Sequence, residues 1–243
     1  MGRLRIFSAI SLSAWLLHFY PAASQQASDQ NSAPVVTILA PAKGLRFQWN
    51  SIVPYAIKVS DREDGSSEYQ EIATNEVLVV IAFLNDTSRT KKYLSDLPRM
   101  NLEPVRLIST SGCFTCHATK SKLIGPSFEA VAKRYSNNLK MVESITQKII
   151  MGSTGTWGDL KMPAHPDLQS EQVKEIVHWI LKNNLDPNVN YFAGTEGAFR
   201  TKEKNEKENG KGVYVLTAIY LDHGTAGGGD NKKQSQHSIA LKN

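Results

Sequence analysis

Cys113 and Cys116 are separated by Phe114 and Thr115, and His117 follows at once. This C-x-x-C-H order is the signature of c-type haem attachment. Two thiols on one turn of chain reach the two vinyl groups of haem and form two thioethers. The adjacent imidazole is then carried beneath the iron and binds it as an axial ligand. Covalent attachment keeps the cofactor in a domain with few residues to bury it. Three other uses of such cysteines compete. A thioredoxin-like pair needs a βαβ frame, and none surrounds these residues. Structural zinc needs four ligands, and the chain has no second cysteine pair and no H-x-x-x-H. A plain disulfide is the usual fate of two cysteines in an exported protein, but it leaves His117 unexplained.

A six-coordinate iron needs a second axial ligand. Met162 lies downstream in Trp157-Gly158-Asp159-Leu160-Lys161-Met162-Pro163-Ala164. A thioether sulfur is a soft ligand, and Pro163 stiffens the chain beside it. A methionine in a loop is otherwise core filler, but the neighbours of Met162 are polar residues and proline, not an apolar stripe. His165, three residues on, is the competing ligand.

The elements that must position these residues are helical. From about Val105 to Asn184 the apolar residues recur at helical spacing. Pro126–Tyr135 places Phe128, Val131, Ala132 and Tyr135 on one face, and Met141–Ile150 begins a second helix. Gln169–Leu181 is the clearest helix, with Val173, Ile176, Val177 and Ile180 inward and Ser170 as its expected cap.

Residues 105–184 resemble the bacterial class I c-type cytochromes of the cytochrome c551/c552 type. The matching motifs occur in order: Gly112-Cys113-Phe114-Thr115-Cys116-His117, Ile124-Gly125-Pro126-Ser127-Phe128, Lys148–Ser153 with Gly155-Thr156-Trp157-Gly158, Met162-Pro163, and the closing helix Val173–Leu181. The resemblance implies one covalent haem c per chain, with His117 and Met162 on the iron. It implies that the Pro126 carbonyl accepts a hydrogen bond from His117, and that Lys148 and Trp157 lie at the propionates. Lys148 stands where the family often has Arg, which makes a more directional contact. Met151 stands where a polar residue is common and is a poorer ligand candidate than Met162. His178 on the last helix reads as a packing or surface residue.

The flanks read as β-structure. Val35–Leu39, Ile52–Ser60 and Glu76–Leu84 are strand-like runs divided by polar turns. Residues 34–90 resemble the immunoglobulin-like (PKD-like) modules found beside cytochromes and quinoprotein sugar dehydrogenases, and they look incomplete as a free-standing core. The turn acids Asp61, Glu63 and Asp64 suit Ca²⁺, and an exposed acidic turn explains them equally. Residues 91–104 read as a linker. Residues 185–243 read as a charged linker, a strand at Val213–Leu221, a Gly-rich loop and a short last strand at Ser238–Leu241. Gly212–Gly224 resembles the segment after the cytochrome in such larger proteins. The expected fold is therefore multidomain: a small all-β immunoglobulin-like sandwich, an all-α cytochrome c domain, and a short β-rich C-terminal tail.

Arg3 and Arg5, the apolar stretch Ile6–Tyr20 and the small residues Ala22-Ala23-Ser24 form a secretory signal over residues 1–24. A flexible leader, 25–33, follows. The apolar stretch is shorter than the ~20 residues that span a bilayer, so no integral membrane segment is expected after signal removal, and the expected location is the periplasm or outside the cell. The chain has 243 residues and a net charge of +5, two of the positive charges lying in the signal. No basic patch interleaved with aromatics argues for nucleic acid. With both axial positions filled, iron has no open site, so the expected role is outer-sphere transfer of single electrons, not enzymatic turnover. Lys120, Lys122 and Lys161 are candidates for steering toward an acidic redox partner, and a quinoprotein sugar dehydrogenase is the candidate donor. Two other classes compete: a haem sensor or peroxidase with Met162 loosely bound, and a polysaccharide-binding module with an accessory cytochrome.

Overall fold

The computed structural model describes residues 30–183, 186–204, 211–225 and 231–243. The signal expected at 1–24, most of the leader, and parts of the charged run and Gly-rich loop lie outside these residues. Strands β1 (Val35–Ala40) and β2 (Ile52–Asp61) form where the alternation falls, and Val53, Tyr55, Ile57 and Val59 of β2 are all buried. A short β3 (Gly65–Ser66) follows the acidic turn, and β4 is Leu78–Leu84. Five helices follow among the described residues: α1 (Thr90–Asp96), α2 (Glu103–Thr110), α3 (Phe128–Arg134), α4 (Leu139–Met151) and α5 (Ser170–Asn183). The chain then returns to strands β5 (Val189–Ala193), β6 (Glu196–Arg200), β7 (Val213–Leu221) and β8 (Gln234–Lys242).

The expectation of a separate β-rich tail is corrected by the pairing. One sheet holds β1, β2 and β3, with β6 paired to β2 along Ile52–Ala56. The other runs β5-β4-β7-β8. β4 finds no strand partner within residues 34–90; both of its neighbours come from beyond the helical domain. The two sheets share one apolar core, which joins Val36, Ile57 and Val59 to Leu216, Tyr220 and Leu241. The helical domain is thus inserted into a single β-sandwich between β4 and β5. This also accounts for the incomplete look of residues 34–90.

The stretch 91–104 is likewise more than a linker. It completes α1, makes a tight turn at Leu97–Arg99 around the buried Leu97, and enters α2 with Pro104 in the first turn. Polar caps set the starts of the next helices. The Ser127 hydroxyl accepts the Ala130 N–H at 3.1 Å, and the Asn138 side chain accepts that of Met141 at 3.0 Å. Ser170 is the first residue inside α5, and the Gln172 carboxamide, not Ser170, takes the Gln169 N–H at 3.0 Å.

β4 and β7 are buried along both faces. Their odd and even residues serve different cores. Val79, Ile81 and Leu216 face the sandwich, while Leu78, Val80 and Ile219 pack on Val105, Ile108, Ile176 and Trp179 of α2 and α5. A strand covered on both sides reads as a continuous apolar run, which is the pattern of VYVLTAIYL.

At one end of the sandwich the acidic turn is largely paired with its own groups, while the buried Asp61 Oδ2 has no hydrogen-bond partner. Asp61 Oδ1 accepts the N–H groups of Glu63 and Asp64, and Glu63 pairs with Arg62. Asp64 accepts from the Tyr220 hydroxyl at 2.7 Å and pairs with His223, which also meets Glu76 at 2.8 Å. Among the described residues no group of three or more His, Cys, Asp or Glu side chains could hold a metal ion.

Two outcomes follow. Leu216→Ala should cost the sandwich about 2–5 kcal/mol in urea unfolding, because Leu216 is fully buried in the shared core; a separate tail would leave that transition unmoved. Burial opposes protonation of His223, but the Glu76 hydrogen bond and the charges of Glu76 and Asp64 outweigh it and raise the pKa. Stability from a raised histidine is complete below the unfolded pKa and fades as pH climbs through the folded one. The melting temperature of wild type relative to His223→Gln should therefore fall as pH rises above about 6.5.

Candidate functional site

Gly112, in a left-handed conformation, ends α2 and starts the tight turn Cys113–Thr115. The N–H groups of Cys116 and His117 both donate to the Cys113 carbonyl, at 3.1 and 2.9 Å. Cys113, Cys116 and His117 thus occupy one helical turn at spacings that share a face. Both thiols are free and half-buried, and burial pushes that of Cys113 up to about 11.

His117 Nδ1 lies 2.7 Å from the Pro126 carbonyl oxygen. A carbonyl only accepts, so Nδ1 carries the proton and Nε2 keeps its lone pair. Burial lowers the His117 pKa, outweighing the Pro126 bond, and nearby His165 acts in the same direction. The neutral ring is the form that ligates metals. Phe128 stacks on it at 5.5 Å and 13°, and Trp179 meets Phe128 edge-on at 6.4 Å. Gly125 is required by this packing: a Cβ there would collide with the imidazole, 2.8 Å from Nδ1.

A cavity of about 500 Å³ opens over this segment, a volume typical of small-molecule and cofactor sites. Cys113, Cys116, His117, Pro126, Lys148, Trp157 and Met162 all line it, with Ile108, Ile149, Leu168, Ile176 and Ile180 among its apolar walls. The structure therefore brings together the seven residues expected at the haem. Met162 is held by a two-way backbone bridge, Ser153 N–H to Met162 O at 3.1 Å and Met162 N–H to Ser153 O at 2.8 Å. Gly152 permits that bridge, because its own Cβ would sit 2.8 Å from the Met162 carbonyl oxygen. The thioether side chain is half-buried against the cluster of Val142, Ile149 and Val173.

Rival positions sit elsewhere. Met151 is 72% exposed, and His178 meets Asn137 at 3.2 Å. His165 is not among the residues that line the cavity. At the rim, Lys148 Nζ donates to Thr156 Oγ1 at 3.3 Å. Arg134 lies 4.5 Å over the Trp157 ring and donates to the Thr156 carbonyl at 3.1 Å. Sequence reading missed Arg134 at this rim; nothing in the order of residues links the end of α3 to Trp157. It also missed Phe128 as the support of His117, having it as an apolar residue on a helix face and as the end of the Pro126 motif.

The donor set, the apolar walls and the two glycine clearances fit a flat, iron-bearing macrocycle held by two thiols. Comparison with known proteins agrees. Residues 105–184 match the family model described as Cytochrome c. Cytochrome c-551 of Azotobacter vinelandii is 39% identical over 75 residues, which cover 31% of this chain and 90% of the relative. Cytochrome c-552 of Hydrogenobacter thermophilus is 34% identical over 76 residues, covering 31% of this chain and 76% of the relative. Among solved structures, wild-type cytochrome c552 of Nitrosomonas europaea is 28% identical, covers 32% of this chain and 96% of its own, and has a TM-score of 0.31.

Proposed function

Because residues 105–184 make this chain a member of the cytochrome c family, a class I c-type cytochrome with covalent haem c, we propose that it is an exported mono-haem carrier of single electrons, with His117 and Met162 as iron ligands. One observation carries the reading. A single cavity is lined by both cysteines, His117 and Met162, and the His117 ring is turned so that Nε2 is free.

Cys113 and Cys116 would hold the vinyl groups as thioethers. His117 Nε2 and Met162 Sδ would be the protein's ligands to the iron. The Pro126 carbonyl fixes the imidazole tautomer and raises its basicity. Lys148 and Trp157 would meet the propionates at the rim. Walls built from Ile108, Ile149, Ile176 and Ile180 exclude water. When bound, haem c supplies a one-electron couple, whose potential Met/His ligation raises relative to other ligand sets. Lys120 donates to the Pro187 carbonyl at 2.7 Å. Lys122 and Lys161, both exposed and on the cavity lining, stand with Lys120 as the charges that would steer an acidic partner.

The two sheets facing across one core support an immunoglobulin-like sandwich. The basic, apolar, small-residue order of residues 1–24 supports export to the periplasm. No helix among the described residues is long and apolar enough to cross a membrane. The resemblance of the β-module to those beside quinoprotein sugar dehydrogenases motivates a periplasmic sugar dehydrogenase as electron donor.

The deciding test is the absorption spectrum of the haem-loaded protein beside Met162→Ala. Wild type should be low-spin with a sulfur-to-iron band and no CO binding. The variant should lose that band, bind CO stoichiometrically and have a lower potential. A high-spin wild type that binds CO would overturn the carrier reading in favour of a sensor or peroxidase. For the donor, a purified sugar dehydrogenase with its substrate should reduce the haem; failure to do so removes that partner.

A further inference from the structure

Thr119, two residues after His117, is 4% exposed. Its hydroxyl accepts the N–H of Tyr191 at 3.2 Å and donates to the carbonyl of the same Tyr191 at 3.1 Å. One hydroxyl has one proton to give and lone pairs to receive with, so both bonds are compatible. Tyr191 is in β5, the edge strand of the second sheet, opposite Val80 of β4. Its N–H and C=O point away from β4, as in a non-hydrogen-bonded antiparallel pair. Thr119 therefore does for this edge what the backbone of a further strand would do.

The other side of Thr119 leads to the ligand. Its carbonyl accepts the N–H of Glu129 at 3.0 Å, and that of Ala118 accepts Phe128 N–H at 3.1 Å. These bonds hold the first turn of α3, whose Phe128 ring lies flat against His117. A second route runs in parallel: the Tyr191 ring meets Trp179 edge-on at 5.2 Å, and Trp179 meets Phe128. The sandwich is thus joined to the imidazole by a hydrogen-bonded tie and by an aromatic stack.

We propose that Thr119 is a positioning residue through which the β-sandwich sets the orientation of His117 and hence the reduction potential. This rests on the reading of His117 as an iron ligand. Loosening the tie relaxes the His117–Pro126 hydrogen bond. A weaker bond makes Nε2 a poorer donor, which destabilises the oxidised state more than the reduced one and raises the potential.

The test uses the full-length, haem-loaded protein. Thr119→Val keeps the side-chain shape and removes the hydroxyl; it raises the midpoint potential and moves the hyperfine-shifted ring-proton resonances of His117. Thr119→Ser returns both toward wild type. Thr201→Val removes a hydroxyl equally buried in the sandwich, one bonded to Ser51 and Gln48, and leaves both readouts at wild-type values. A folded Thr119→Val protein with unchanged potential and ring resonances overturns the proposal. Should that variant not fold, amide exchange in wild type decides: a protected Tyr191 N–H supports the tie, and one that exchanges like an exposed edge amide overturns it. A high-spin wild-type spectrum instead signals failure of the ligand reading, whereas insensitivity to Thr119 in a low-spin protein defeats the tie alone.

Discussion

The pairing of β4 with β5 is the constraint on which the rest depends. These strands lie side by side, with Leu78 opposite Ala193 and Ala82 opposite Val189, yet residues 85–188 run between them. Neighbouring strands are about 4.8 Å apart, so the inserted domain must leave and re-enter the sheet at almost one point. α2 and α5, the first and last helices of its core, pack on the same sheet face. The insertion is therefore more than a tethered neighbour. Its apolar floor is the outer face of β4 and β7, and the residues of that shared face are buried only with both units in place.

That shared floor explains which parts of the fold were legible in the sequence. The runs at Ile52–Ser60 and Val213–Leu221 were readable because a buried strand needs apolar residues at fixed intervals, whatever it pairs with. The pairing was not readable. β5 and β6, VNYFA and EGAFR, are short and mostly half-buried or exposed, so no alternation marks them. Their partners are distant in sequence, and a non-local contact leaves no periodic trace at either end. α1 hid in a stretch chosen as linker because TKKYLSD is polar and contains no fully buried residue.

The site was far more legible than the topology, for a chemical reason. Thioether formation and iron ligation each demand one residue type at one spacing, so Cys113, Cys116, His117 and Met162 stand out from their surroundings. Pro126, Lys148 and Trp157 came only through likeness to a family. Supports that act by shape or by a lone hydroxyl were invisible: Phe128, Arg134 and Thr119 are ordinary residues whose roles exist only in three dimensions. Serine or threonine bonding to backbone is common enough that no sequence pattern could have singled out Thr119.

The two sides of the cavity are built on different physical terms. The His117 side is backed by Phe128, Trp179 and a strand of the sandwich, all tied by short contacts of fixed direction. The Met162 side is a loop, 152–165, anchored by the bridge to Ser153 and by the His165 N–H on the Ile149 carbonyl at 3.0 Å. Leu160 and Trp157 on that loop, with Leu123 and Ile124 beyond the attachment segment, are exposed. Rigidity is thus concentrated where a ligand's orientation sets its basicity, and accessible apolar surface where a partner would have to come close. An inserted domain suits this division. Both of its ends are fixed to one sheet, so the face that meets the sheet is fixed as well, and the opposite rim is left to meet other molecules.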